Sequence, residues 1–94
     1  MQDRVEFYKK LKSQLDDTTE KWPNEYMYKF IVPAVGNGIK EIDVIFEGLG
    51  AVITTRKSKT GKYISITIRV IMPSSDSIIE KYKMCESVEG IVSL

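Results

Sequence analysis

The stretch TTRKSKTGKYISITIRVIMP, Thr54 to Pro73, decides the fold. In its second half Ile64, Ile66, Ile68, Val70 and Met72 alternate with Tyr63, Ser65, Thr67, Arg69 and Ile71. Successive side chains of a strand point to opposite faces, so this pattern predicts a strand with one buried and one mixed face. The first half completes a strand running from Ala51 to Lys57, and Gly61 supplies a left-handed turn position before the second strand, Lys62 to Met72. The two form a hairpin.

Upstream, Tyr26, Tyr28, Phe30 and Val32 share one face of a predicted strand, with Met27, Lys29 and Ile31 on the other. Pro33 has no N–H to donate and ends that ladder. Ile39, Ile42, Ile45, Phe46 and Leu49 then recur at helical spacing, with Asn37 as the expected cap and Gly48 and Gly50 as terminators. The β-branched residues lower intrinsic helix propensity, so this helix depends on burial. After Pro73, Ser74 or Ser75 caps a third helix whose apolar side is Ile78, Ile79, Tyr82 and Cys85. Val88 to Leu94 is expected as a closing strand, with Val88, Val92 and Leu94 on one face together with Gly90.

Residues 3–18 read as an amphipathic helix through Val5, Tyr8, Leu11 and Leu15, with Phe7 close to that stripe. Trp22-Pro23-Asn24 makes a connection that cannot stay helical through the proline. The order after this helix is β-α-β-β-α-β. One hairpin and two right-handed crossovers give an α+β domain, a four-stranded antiparallel sheet with both helices on one side. Residues 1–21 are then an N-terminal helical extension and residues 22–94 the domain. The first helix must lay its apolar stripe on the domain or on a second molecule. In one arrangement it covers the open sheet face, where Met27, Ile31 and Ile71 would otherwise lack a partner.

Ninety-four residues, 43% hydrophobic and 29% charged, suit one globular core. One cysteine excludes an internal disulfide, and zero histidines remove the commonest catalytic base and metal ligand. No run of 18 apolar residues occurs, and Met1-Gln2-Asp3-Arg4 leads into a charged segment without a signal-peptide core. A cytoplasmic protein without membrane, metal or cofactor is expected. The net charge of +1 gives little overall attraction for polyanions, so any such attraction is local.

One local candidate exists. No acid lies between Glu47 and Asp76, while Arg56, Lys57, Lys59, Lys62 and Arg69 are all basic. Around the hairpin these cations suit a phosphate or carboxylate partner. The competing reading is that lysines beside an edge strand only block unwanted pairing. Tyr63, Ser65 and Thr67 add hydroxyls near Arg69, but no histidine exists to activate a serine. Gly36-Asn37-Gly38 and Gly48-Leu49-Gly50 match no phosphate fingerprint and read as helix ends. The acidic residues Asp16, Asp17 and Glu20, and Glu41, Asp43 and Glu47, read as solvated surface, and Cys85 as a small buried hydrophobe. Sheet-based nucleic-acid recognition needs aromatics on the central strands, where Ser65 and Thr67 stand instead, so nucleic acid is disfavoured.

The run Arg56 to Ile68, with Gly61, Tyr63 and Ser65 as its core, resembles the signature hairpin of the DUF493 family of small bacterial proteins (YbeD-like, UPF0250). Tyr28-Lys29-Phe30-Ile31-Val32, Tyr82 and the Val88–Leu94 segment add to the resemblance, which covers residues 22–94. It implies a ferredoxin-like fold, similar to the ACT-type regulatory domains that bind small ligands or pair through their sheets. It implies no enzymatic activity and no cofactor, and the N-terminal helix is an addition to the family core.

The expectation is a non-enzymatic regulatory or adaptor domain. It would bind a protein or small anionic ligand through Arg56, Lys57, Lys59, Lys62, Tyr63, Ser65, Thr67 and Arg69. A nucleic-acid binder using the basic hairpin is the alternative, and an enzyme with a site shared across a dimer comes third. A homodimer is a further expectation, from the unmatched apolar groups of the first helix and the sheet.

Overall fold

A computed structural model describes residues 4–94. Its elements are α1 (Arg4–Thr18), β1 (Asn24–Pro33), α2 (Gly38–Ile45), β2 (Val52–Lys57), β3 (Tyr63–Met72), α3 (Ser75–Cys85) and β4 (Val92–Ser93). Asp3, expected to open the first helix, lies outside the described residues, as does the rest of the segment before Arg4.

The sheet order is β2-β3-β1-β4, with every neighbouring pair antiparallel. The two longest strands are therefore central, and the result is the ferredoxin-like α+β sandwich. The register sets Tyr28 opposite Ile68 and Phe30 opposite Ile66. These four side chains, with Val32, Val70 and Met72, are buried on the face that carries α2 and α3. Ile42 and Phe46 meet them from the α2 side, and Ile78 and Cys85 from α3. Each such large apolar side chain contributes about 1.5–3 kcal/mol when fully buried. The only buried phenol among them, Tyr28, donates its hydroxyl to the Ile78 carbonyl at 2.9 Å.

Helix α3 starts as expected, with the Ser74 hydroxyl accepting from the Ser77 N–H at 3.1 Å. Asn37 differs: its side chain makes no capping hydrogen bond. Helix α2 is also shorter than its apolar spacing predicts. It closes at Phe46, and Gly48 and Gly50 take left-handed backbone at φ +80° and +69°, which carries Leu49 out to the surface.

The closing strand differs more. Only Val92–Ser93 is a strand, opposite Ile31 and Phe30, and the Leu94 N–H donates to the Lys29 carbonyl at 2.9 Å. Val88 does not share a face with Val92 and Leu94. It is buried in the core, whereas those two are exposed. The left-handed turn at Gly90, φ +72°, separates them.

Helix α1 does not cover the open sheet face. It packs on α3, on the opposite side of the molecule. Lys12 Nζ reaches Asp76 at 3.1 Å and Ser75 Oγ at 3.2 Å, while the Ser75 hydroxyl donates to Asp16 at 2.7 Å. Arg4 pairs with Glu86 at 3.0 Å, and the Tyr8 hydroxyl donates to the same carboxylate. Leu15 touches the core, yet no α1 residue is fully buried. Polar links at the molecule's surface and partial burial hold α1, in contrast to α2 and α3, which place fully buried side chains in the core.

Candidate anion-binding face

The open side of the sheet is formed by the outward residues of the strands. Register places Arg56 of β2 beside Ser65 of β3, which lies beside Ile31 of β1. The hairpin that follows is closed by hydrogen bonds across its turn. The Ser58 N–H donates to the Tyr63 carbonyl at 2.9 Å, the Gly61 N–H to the Ser58 carbonyl at 3.0 Å, and the Tyr63 N–H to the Ser58 hydroxyl at 3.2 Å. Gly61 holds the turn with φ +74°, backbone that a side chain rarely adopts. The Ser65 hydroxyl donates to the Arg56 carbonyl at 3.2 Å.

These bonds build a shallow hollow of about 340 Å³ lined by Ile31, Arg56, Lys57, Lys59, Tyr63 and Ser65, with Ser58 at its lip. Arg56, Lys57 and Lys59 have no acidic partner among the described residues. Three unneutralised cations around one concavity, with Tyr63 half exposed and two hydroxyls at hand, suit a carboxylate or phosphate.

The remaining residues expected at this site lie elsewhere. Lys62 is exposed but does not line the hollow. Thr67 is half-buried between Thr54 and Lys29 in the middle of the sheet. Arg69 is four residues along β3 from Ser65, roughly 13 Å at the usual rise per residue. It is engaged there by Glu25, at 3.1 Å from Nη2 and 3.2 Å from Nε. Ile31 and Lys29 were not expected to serve this site. Ile31 floors the hollow, and Lys29 presents an exposed ammonium two positions away on the same strand face. Only the β1–β3 register brings them there, and the sequence carries no local sign of it.

A second, larger hollow of about 970 Å³ lies on the other side of the sheet, between α1, the C-terminal end of α3 and β4. Phe7, Tyr8 and Leu11 wall it from α1, and Tyr26, Phe30 and Tyr82 from the domain. The hydroxyls of Tyr26 and Tyr82 are 2.7 Å apart. Burial, and then this hydrogen bond, hold the Tyr82 phenol well above its ordinary range. Its residues come from four separate elements, so no stretch of sequence announces it.

Cys85 is buried on α3, and burial pushes its thiol up to about 11, with Lys81 opposing. A thiol held protonated is a poor nucleophile. Among the described residues no three histidine, cysteine, aspartate or glutamate side chains gather as a metal site, and no helix is long and apolar enough to cross a membrane.

Residues 17–93 match the model of a family described as "Protein of unknown function (DUF493)". No curated protein and no solved structure gives a significant match.

Proposed function

This chain belongs to the DUF493 family, and we propose that it acts as a non-enzymatic regulatory or adaptor domain that binds anionic groups of a protein or small molecule. The observation that carries this reading is the hollow where Arg56, Lys57 and Lys59 converge without an acidic partner among the described residues. Cations grouped on one hairpin can meet the same anion together, each adding a charge-assisted contact. A non-catalytic role is supported by the lack of histidine and by the protonated, buried Cys85 thiol. The single unpaired thiol also fits a cytoplasmic setting.

A second copy is a poor occupant of this face. Two such faces brought together would set Lys29, Arg56, Lys57 and Lys59 against their own kind. An acidic partner meets them with opposite charge, and we therefore place the partner in a different molecule.

Titration with pyrophosphate and with poly-glutamate, followed by amide chemical shifts, tests the reading. Shifts confined to Ile31, Arg56–Lys59, Tyr63 and Ser65 are expected, weakening as salt is raised. Shifts spread evenly over all surface lysines, or none, would contradict it.

A further inference from the structure

We propose that the basic hollow takes a phosphate monoester carried on an aromatic ring, the phosphate among Arg56, Lys57 and Lys59 and the ring against Ile31 and Tyr63. This names the ligand class of the anion-binding face and rests on that reading.

The charges supply the first reason. The residues lining this hollow carry three cations and no acid. Glu25 is the only acid in the four strands, and it stands six residues along β1 from Ile31, roughly 20 Å away. Arg69 already holds it at 3.1 Å. Two other hollows of the described surface do carry acids. Glu86 and Glu89 line the larger one, and Asp76 and Glu86 line one of about 460 Å³ between α1 and α3. A single carboxylate would bring one charge and two oxygens to the three cations. A phosphate monoester brings a charge of about −1.5 to −2 at neutral pH and three acceptor oxygens, one for each cation.

The second reason is the apolar ground beside those charges. In the register Ser65 lies between Arg56 on β2 and Ile31 on β1, so cations stand at one side of the hollow and Ile31 at the other. Tyr63 is two residues from Ser65 on the same face of β3 and is 51% exposed. It is the only aromatic residue among the outward residues of the strands, and its ring meets no other ring among the described residues. A ligand ring laid against it in offset or edge contact gains the attraction that aromatic pairs have beyond simple burial. A bare phosphate would leave both Tyr63 and Ile31 wet. The volume, about 340 Å³, is at the small end for ligand sites and suits one ring with one phosphate.

Titrations of the full chain with phenyl phosphate, methyl phosphate and benzoate, followed by amide and methyl chemical shifts, test this inference. Phenyl phosphate is expected to bind about tenfold more tightly than methyl phosphate, the gain of the ring contact, with ring-current shifts at the Ile31 methyls. It should also bind more tightly than benzoate. Lowering the pH from about 7.5 to about 5 should weaken phenyl phosphate roughly threefold or more, since its second ionisation lies near pH 6, and should barely change benzoate. The chain has no histidine, so that change belongs to the ligand. Tyr63→Ala should bring phenyl phosphate down to the affinity of methyl phosphate and leave methyl phosphate unaltered. If that variant does not fold, the three ligands compared on wild type decide alone. The same chemistry can arrive on a free small molecule or on a phosphorylated tyrosine, and a phosphotyrosyl peptide with uncharged flanks separates the two. Tighter binding than phenyl phosphate assigns the phosphorylated tyrosine, and equal or weaker binding the free molecule. Equal affinities for phenyl and methyl phosphate, or for phenyl phosphate and benzoate, would overturn the inference and leave the anion-binding reading standing. No shift with any of them, pyrophosphate included, would remove both.

Discussion

Arg69 donates from both Nε and Nη2 to a single carboxylate oxygen of Glu25, a diagonal neighbour on the adjacent central strand. That pairing separates two cations which the sequence places in one basic cluster. Arg56 faces the hairpin hollow without an acid, and Arg69 is neutralised at the far end of the sheet.

Arg69→Ala should therefore change little. The pair is more than half exposed, so its loss costs under about 1 kcal/mol. Urea unfolding measures this directly, and anion binding by the variant should match wild type. A loss of binding on Arg69→Ala would return Arg69 to the site.

Gly90→Ala should destabilise the closing segment. A Cβ at Gly90 would lie 2.7 Å from Pro33 Cγ, and the backbone there is left-handed. Both effects act together, so a loss above about 1 kcal/mol is expected. Hydrogen exchange at Leu94 should rise with it, because the turn delivers Leu94 to Lys29.

Ile68→Ala should cost about 2–5 kcal/mol. Ile68 is fully buried on a central strand, between Ile53 and Tyr28 in the register, where the surroundings cannot collapse freely. Thermal or urea unfolding reads the change, with the slope of the urea transition preserved if the native sheet is unchanged.

Stability should hold from neutral pH up to about pH 10 and fall above it. Burial raises the phenols of Tyr28 and Tyr82 above their ordinary value of 10.0. A group whose folded pKa is raised contributes its full stabilisation below the unfolded value and loses it as pH climbs toward the folded one. Lys12 shifts the same way through its hydrogen bond to Asp76. Tyr82→Phe should make the alkaline fall shallower, which melting curves across that range would show.

The strand pattern from Tyr63 to Met72 was legible because burial on one face imposes a period of two, and nothing in the structure competes with it. The α3 cap was legible for a similar reason, since Ser74 acts within its own turn. Helix α2 and β4 were harder. Apolar spacing at Phe46 and Leu49 continues a helix that Gly48 and Gly50 end, and Val88 is apolar because it enters the core, not because it is in a strand. At the site, Arg56, Lys57, Lys59, Tyr63 and Ser65 could be read together because one hairpin holds them all. Ile31 joins them only through pairing with a strand more than thirty residues away in the chain. The cleft under β4 needs α1 docked on α3, a contact between distant surfaces that no local pattern encodes.

The role we propose for the unpaired cations of the hairpin is to hold an anionic partner. Retention of species from a bacterial lysate on wild type, compared with Arg56→Glu/Lys59→Glu, tests it most directly, with Arg69→Glu as the matched change of charge outside the hollow. A protein or small molecule held by wild type and by Arg69→Glu but lost from the double variant is expected. Equal retention by all three, or loss from Arg69→Glu alone, would contradict it.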